Sequence, residues 1–148
     1  LKKSKIHLVI AGEFYESKEK YLKLITKNNL NKKVTIYDEF INNEMTKKLF
    51  CGSDAIIQTY RSSSQSGVSP LAYFYNTPVL VSNIDGLKDP ILKDKSGIVS
   101  EKSTKEISRN ILKLLNNLNY YTDNIKSVKS NYKWDKFVYE LEKFISNL

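Results

Sequence analysis

Apolar residues along this chain come in short runs separated by amphipathic stretches, and several runs end on glycine or small polar residues. Ile6 to Gly12 is such a run, the pattern of a strand covered on both faces in a parallel sheet. From Ser17 to Lys27 the apolar positions Tyr21, Leu22, Leu24 and Ile25 fall on one side at helical spacing, with lysines opposite and Asn28-Asn29 as a stop. Val34–Tyr37, β-branched and aromatic, predicts a second strand, and Asn42-Asn43 ahead of Glu44–Phe50 predicts a capped helix. Ala55–Tyr60, Pro78–Val81 and Gly97–Val99 predict three further strands. A helix over Gly67–Tyr75 lies among them, and an amphipathic helix from Glu106 to Leu118 follows, with Ile107, Ile111, Leu114 and Leu115 on one face.

Strands that alternate with helices, with no Asn-Gly hairpin between them, imply βαβ units. The expected fold class is therefore α/β: a Rossmann-like, doubly wound parallel sheet of about five strands flanked by helices, with C-terminal helices. One domain is expected over residues 1–148, an α/β core over 1–118 and a helical tail over 119–148. The last helix carries Trp134, Phe137, Val138, Leu141, Phe144 and Ile145 at helical spacing, a stripe suited to a core or docking surface. Its polar face mixes Asp135, Glu140 and Glu142 with lysines, which counts against a membrane-binding helix.

Composition narrows the classes. Hydrophobic residues at 41% and charged residues at 27% describe an ordinary globular chain. The net charge of +8 suggests an anionic partner, yet among the 24 basic residues only Arg61 and Arg109 are arginine, and the lysines are scattered. Nucleic-acid readers concentrate charge and use arginine forks, so nucleic acid is not the expected partner, and a lysine-rich surface near an anionic membrane remains open. Cys51, the only cysteine, excludes an internal disulfide and fits a cytoplasmic setting. The opening Leu1-Lys2-Lys3-Ser4-Lys5 has no apolar region or cleavage site of a signal sequence and reads as a cut edge.

In an open parallel sheet, ligands bind beyond the carboxyl ends of the strands. That rule selects Gly12-Glu13, Glu39-Phe40-Ile41, Arg61 to Val68, and Asn83 to Gly86. The third of these, Arg61-Ser62-Ser63-Ser64-Gln65-Ser66-Gly67-Val68, leads from a strand into a helix that carries Pro70 in its first turn. Free N–H groups near Ser66, Gly67 and Val68, the serine hydroxyls and Arg61 make a phosphate cradle in chemical type. The alternative is that the serines cap a helix and Gly67 relieves crowding. No Gly-Lys-Ser/Thr or Gly-x-Gly-x-x-Gly is present. Ile84-Asp85-Gly86-Leu87 offers a second glycine loop for the same ligand. His7, the sole histidine, lies at the start of a strand and is expected to be structural, Asp54 to be a cap or turn residue, and Cys51 a small buried apolar residue. No triad, Cys-His pair or histidine metal site is available.

At these loops the chain resembles the carboxy-terminal, donor-binding domain of family 4 retaining glycosyltransferases with the GT-B fold. The matching pieces occur in order: Leu8-Val9-Ile10-Ala11-Gly12-Glu13, Val34-Thr35-Ile36 with Phe40-Ile41, and Ser53-Asp54-Ala55-Ile56-Ile57. Tyr60-Arg61-Ser62 with Gln65-Ser66-Gly67-Val68 comes next, then Thr77-Pro78-Val79-Leu80-Val81, Gly86-Leu87 and Ser96-Gly97-Ile98-Val99. The resemblance implies that Ser66, Gly67 and Val68 hold a donor diphosphate, that Phe40 and Ile41 contact the base, and that the sugar lies near Ser63, Ser64, Gln65 and Gly86. Gly12, Glu13 and Arg61 complete the implied donor set. Many members carry two glutamates spaced by seven residues, and aligning on Pro78 puts Ser63 and Leu71 at those places. Leu71 cannot accept a ribose hydroxyl, so neighbouring Ser and Gln groups are expected to take over some polar contacts. Asn76 replaces the family's glycine after this helix, as the next-best residue for a left-handed helix end.

The resemblance also implies an opening strand and helix with a basic pair, and an amino-terminal acceptor-binding domain, that this chain lacks. The expectation is therefore the donor half of a larger cytoplasmic transferase with no metal or other cofactor and a nucleotide-sugar as substrate. It would pass a sugar to a saccharide or lipid-linked acceptor. The other reading of the same residues is a non-catalytic α/β module that binds a nucleotide or phosphorylated partner.

Overall fold

The computed structural model describes residues 5–147; Leu1 to Ser4, expected to be no signal sequence, lie outside the described residues. The elements in order are β1 (Leu8–Ala11), α1 (Glu19–Lys27), β2 (Val34–Tyr37), α2 (Asn43–Cys51), β3 (Ile56–Gln58) and α3 (Val68–Phe74). There follow β4 (Val79–Ser82), α4 (Asp85–Asp94), β5 (Gly97–Ser100), α5 (Thr104–Leu115), α6 (Leu118–Val128), a 3-10 turn at Lys129–Tyr132, and α7 (Trp134–Ile145). Every strand pairing is parallel, so the expected α/β class holds, and hydrogen bonding groups the strands as a pair and a triple. The chain divides into two compact units, Leu1–Lys47 and Lys48–Leu148.

In the first unit β1 pairs with β2 from Leu8 opposite Val34 to Ala11 opposite Tyr37. The expectation that Ile6 to Gly12 is covered on both faces is not met: β1 alternates half-buried and exposed residues, with Val9 40% exposed. Among the described residues it has one partner strand, and α1 contributes no fully buried side chain to cover it. His7 is structural, its Nε2 lying 2.8 Å from Thr35 Oγ1 across the strand pair. Asn29 takes a left-handed φ of 55° at the end of α1, and Asn42 Oδ1 caps α2 by accepting from the Met45 N–H at 2.9 Å.

In the second unit β4 lies between β3 and β5, and all four of its residues are buried. Val79 and Val81 face one apolar cluster with Ala72, Tyr73, Leu87, Ile91 and Ile125. Leu80 faces the opposite cluster with Ile98, Leu114 and Tyr121. Ile56 and Ile57, and Val99 and Ile98, divide between the two faces in the same way, so helices cover both sides of the triple. Gly97 is the closest point in this sheet: a Cβ there would stand 1.8 Å from the Val79 carbonyl oxygen.

Three expectations are corrected here. Residues 85–94 form a helix, where Ile84-Asp85-Gly86-Leu87 is expected to be a glycine loop; Pro90 lies inside it, and Leu87 and Ile91 fix it on the sheet. Cys51 is exposed rather than buried, because it ends α2 where the chain turns at Gly52. Of the two roles expected for the stripe on α7, core or docking surface, the first is not met: none of its residues is buried, and Trp134 is 79% exposed. Among the described residues no helix is long and apolar enough to cross a membrane.

The end of α3 behaves as its sequence indicates, with Asn76 at φ 58° and the Thr77 N–H returning to the Ala72 carbonyl at 2.8 Å. The turn after α6 is held by a carboxylate. Asp94, buried, accepts from the Tyr73 hydroxyl at 3.0 Å and from the Tyr132 hydroxyl, while the two rings meet edge to face at 5.2 Å. Burial first, and then the bond to Asp94, push the Tyr132 phenol up to about 12, so both tyrosines stay protonated donors at neutral pH.

Replacing Gly97 by Ala is expected to destabilise the protein by roughly 2–4 kcal/mol, because a backbone oxygen cannot yield to the added methyl. Urea unfolding measures it, and a variant as stable as wild type would refute the close packing. Tyr132→Phe keeps the ring contact and removes one bond to the Asp94 carboxylate; a loss of about 1 kcal/mol is expected in the same assay, and no loss would show that the bond holds nothing.

Candidate functional site

The carboxyl ends of the three strands of the second unit are followed by the segments 59–67, 83–84 and 101–103. The sheet ends at Gln58, whose side chain is 2% exposed and donates through Nε2 to Ser69 Oγ at 3.0 Å. This bond ties the end of β3 to the first turn of α3, so the chain between them must loop out beyond the sheet. Gln58 Oε1 has no partner among the described residues, a cost usually tolerated only near function or buried water. The sequence reading passed over Gln58; its signal was an amide in a run of strand positions otherwise suited to apolar side chains.

Within the loop the Ser66 hydroxyl accepts from the Val68 N–H at 3.2 Å, and the Tyr60 hydroxyl lies 3.4 Å from it. Ser63 Oγ donates to the Gln65 carbonyl at 2.6 Å. Ser66 thus takes the first N–H of α3 from the position before the N-cap, Gly67, which is close to the capping that one of the two alternatives expected. The other half of that alternative fails: a Cβ on Gly67 would meet nothing within 4 Å, and its φ of −67° suits any residue. No crowding calls for glycine there. Among the described residues the backbone N–H groups of Ser62 to Gly67 have no acceptor within the protein. A row of unpaired donors next to an open glycine is the arrangement an anion fills.

Gly86 plays a different part. It stands in the first turn of α4, and a Cβ there would be 1.7 Å from the Ser64 carbonyl oxygen, so the loop backbone lies directly on the helix. Ser64 and Gly86 are brought together through backbone contact. Beside them Asp85 pairs with Lys88 at 2.5 Å, which holds the Asp85 carboxyl below the usual range. On the other side Lys102 Nζ donates to the Arg61 carbonyl at 2.8 Å. Lys102 was missed in the sequence because it lies 41 positions away and belongs to no local pattern.

The first unit presents its own strand ends. Gly12 closes β1 with φ 129°, a conformation that side-chain-bearing residues rarely adopt, and its N–H donates to the Tyr37 carbonyl at 3.0 Å. The Phe14 N–H donates to Asp38 Oδ1 at 3.3 Å, and Lys18 bonds Asp38 Oδ2 at 2.5 Å. The Lys18 ammonium holds the Asp38 carboxyl below the ordinary carboxylate range. Glu13 is exposed, Ile41 half-buried, and the Phe40 ring 78% exposed. Among the described residues no three His, Cys, Asp or Glu side chains gather as a metal site.

No curated protein matches the chain in sequence. Solved structures do match in fold. Sucrose-phosphate synthase from Thermosynechococcus elongatus aligns with a TM-score of 0.76 at 14% identity, over 95% of this chain and 38% of that one. WaaG, a glycosyltransferase involved in lipopolysaccharide biosynthesis, aligns at 0.72 and 18%, over 84% and 34%. HepE of Anabaena, solved in complex with UDP, aligns at 0.75 and 14%, over 97% and 41%. The chain therefore spans 34 to 41% of the length of these proteins. Likeness at such identities establishes the Rossmann-like fold they share. The family model described as glycosyl transferases group 1 matches residues 1–145, and the chain belongs to that family.

Proposed function

We propose that this chain is the donor-binding domain of a retaining glycosyltransferase, which holds a nucleoside diphosphate sugar while a separate domain of the same protein presents a saccharide or lipid-linked acceptor. The observation that carries the reading is Gly67, a glycine required neither by its backbone angles nor by packing, beside unpaired N–H groups from Ser62 to Gly67. Space kept clear of a side chain at a row of donors serves a ligand that approaches the backbone. Family membership supports a nucleotide-sugar as that ligand, as does a solved neighbour that binds UDP and glucose.

In this reading the diphosphate lies on Ser66, Gly67 and Val68, with the Arg61 guanidinium free to take a second phosphate oxygen. When the bond from the sugar to the diphosphate breaks, charge grows on the departing phosphate oxygen, and fixed N–H groups and Arg61 meet it without a metal. The Ser63 to Gln65 stretch, held against Gly86, offers hydroxyl and amide groups to the sugar. In the first unit, taken by itself, the Phe40 ring is an exposed apolar surface beyond the carboxyl end of β2, and Gly12 and Glu13 follow β1. We place the parent protein in the cytoplasm, where a surface with a formal charge of +8 can rest against anionic lipids.

Gly67→Ala and Gly67→Asp are the deciding variants. Because nothing lies near the added Cβ, Gly67→Ala is expected to keep its stability within about 1 kcal/mol while binding UDP at least about tenfold more weakly. Gly67→Asp, with a negative charge in the cradle, should lose UDP altogether. Titration of the labelled chain followed by amide shifts reads both. Unchanged affinity in Gly67→Asp, or no response of Arg61 to Val68 to millimolar UDP, GDP or ADP in wild type, would end the donor reading. UDP binding without donor hydrolysis or transfer by the parent protein would make this a binding module instead.

A further inference from the structure

The loop from Arg61 to Gly67 has almost no fastening of its own. Its local hydrogen bonds, from Ser63 to Gln65 and between Ser66 and Val68, span two residues each, and a longer one of 3.4 Å joins the Tyr60 hydroxyl to Ser66 Oγ. Where the loop runs into α3, the Val68 N–H donates to Ser66 Oγ and the Leu71 N–H to the Gly67 carbonyl; among the described residues, the one hydrogen bond that reaches the loop from an element distant in sequence is that of Lys102 Nζ to the Arg61 carbonyl, at 2.8 Å. A bond of this kind, from an ammonium to a carbonyl, is short and directional. In the middle of the loop the Ser64 backbone lies on Gly86. Apart from its local bonds and its junction with α3, the loop is therefore held at two points, one a side chain and one a helix turn.

Lys102 is well placed to act as a brace because its own backbone is fixed on both sides. Before it, the buried Ser100 hydroxyl donates to the Glu101 carbonyl at 3.1 Å and accepts from Asn110 Nδ2 at 3.0 Å, and Glu101 Oε1 accepts from Asn83 Nδ2 at 2.7 Å. After it, Ser103 caps α5 by accepting from the Glu106 N–H at 3.1 Å. These bonds join the ends of β4 and β5 and the start of α5 into one frame, from which the Lys102 side chain extends to the loop.

We propose that Lys102 is a positioning residue for nucleotide binding: it braces the Arg61 carbonyl so that the backbone donors of the 62–67 segment stand in place before the ligand arrives. Preorganised donors bind more tightly because the ordering cost is met in the free protein. The inference rests on the donor-site reading for its ligand, though the brace itself does not.

The test uses the nitrogen-15-labelled chain as wild type, Lys102→Met, Lys102→Arg and, as a control for charge, Lys105→Met. Two quantities are measured on each: backbone order parameters of Ser62 to Gly67 without ligand, and affinity for UDP. Lys102→Met is expected to drop the loop from rigid values near about 0.85 to below about 0.6 and to weaken UDP about tenfold. Lys102→Arg should restore loop order and most of the affinity, and Lys105→Met, which removes the same charge nearby, should change neither. A loop as ordered in Lys102→Met as in wild type would overturn the proposal. So would equal UDP loss in Lys105→Met and Lys102→Met, since charge alone would then explain it. If wild type binds no UDP but the Lys102 variants still differ in loop order, the donor reading fails and the brace stands.

Discussion

The burial of β4 on both faces is the constraint on which the second unit depends. Its four residues are buried, and the sequence supplies apolar side chains at three of them and Ser82 at the last. Such a strand can be covered only if the chain crosses each face of the sheet, and α3 and α4 lie over the Val79 and Val81 side while α5 lies over that of Leu80. Parallel pairing to β3 and β5 then brings every strand-to-helix loop to the same edge. The candidate site is a consequence of this geometry before any residue in it is considered.

Several elements were legible because their signals are local. Val34–Tyr37 is found with its expected bounds, and the Asn29 and Asn76 helix ends take left-handed angles. The failures have tertiary causes. Ile84 to Leu87 is expected to be a glycine loop, yet these residues open the helix 85–94, and Gly86 answers to the Ser64 carbonyl, a contact 22 residues back along the chain. The Ile6 to Gly12 run is apolar enough for a doubly covered strand but is covered on one side only, and a hydrophobic run records what a strand tolerates, not how many neighbours it has. Lys102 was invisible because its partner, the Arg61 carbonyl, lies 41 positions away.

The C-terminal tail separates into parts that periodicity alone could not tell apart. In α6, Tyr121 joins one cluster and Ile125 the other, and Tyr132 in the following turn is tied to Asp94. In α7 a comparable stripe has no buried residue, with Trp134 and Phe137 packed on each other at 5.6 Å between ring centres. An apolar stripe specifies that a face can be buried; the partner has to be found elsewhere in the structure.

The glycines show how a site can be separated from scaffolding. Gly12 is demanded by its backbone angle, and Gly86 and Gly97 by backbone oxygens at 1.7 and 1.8 Å from where a Cβ would stand. Each of these three is explained by the protein itself. Gly67 is not: its angle is helical and its surroundings are empty to 4 Å. Alanine in its place would meet neither strain nor contact inside the chain, and the proposed donor site accounts for the glycine by a ligand that approaches the backbone. A ligand there would have to accept hydrogen bonds, because the N–H groups of Ser62 to Gly67 lack acceptors in the chain, and Arg61 at the start of the loop would favour a negative one. The proposal thus rests on the space and the donors together, apart from any relative in which a nucleotide is bound.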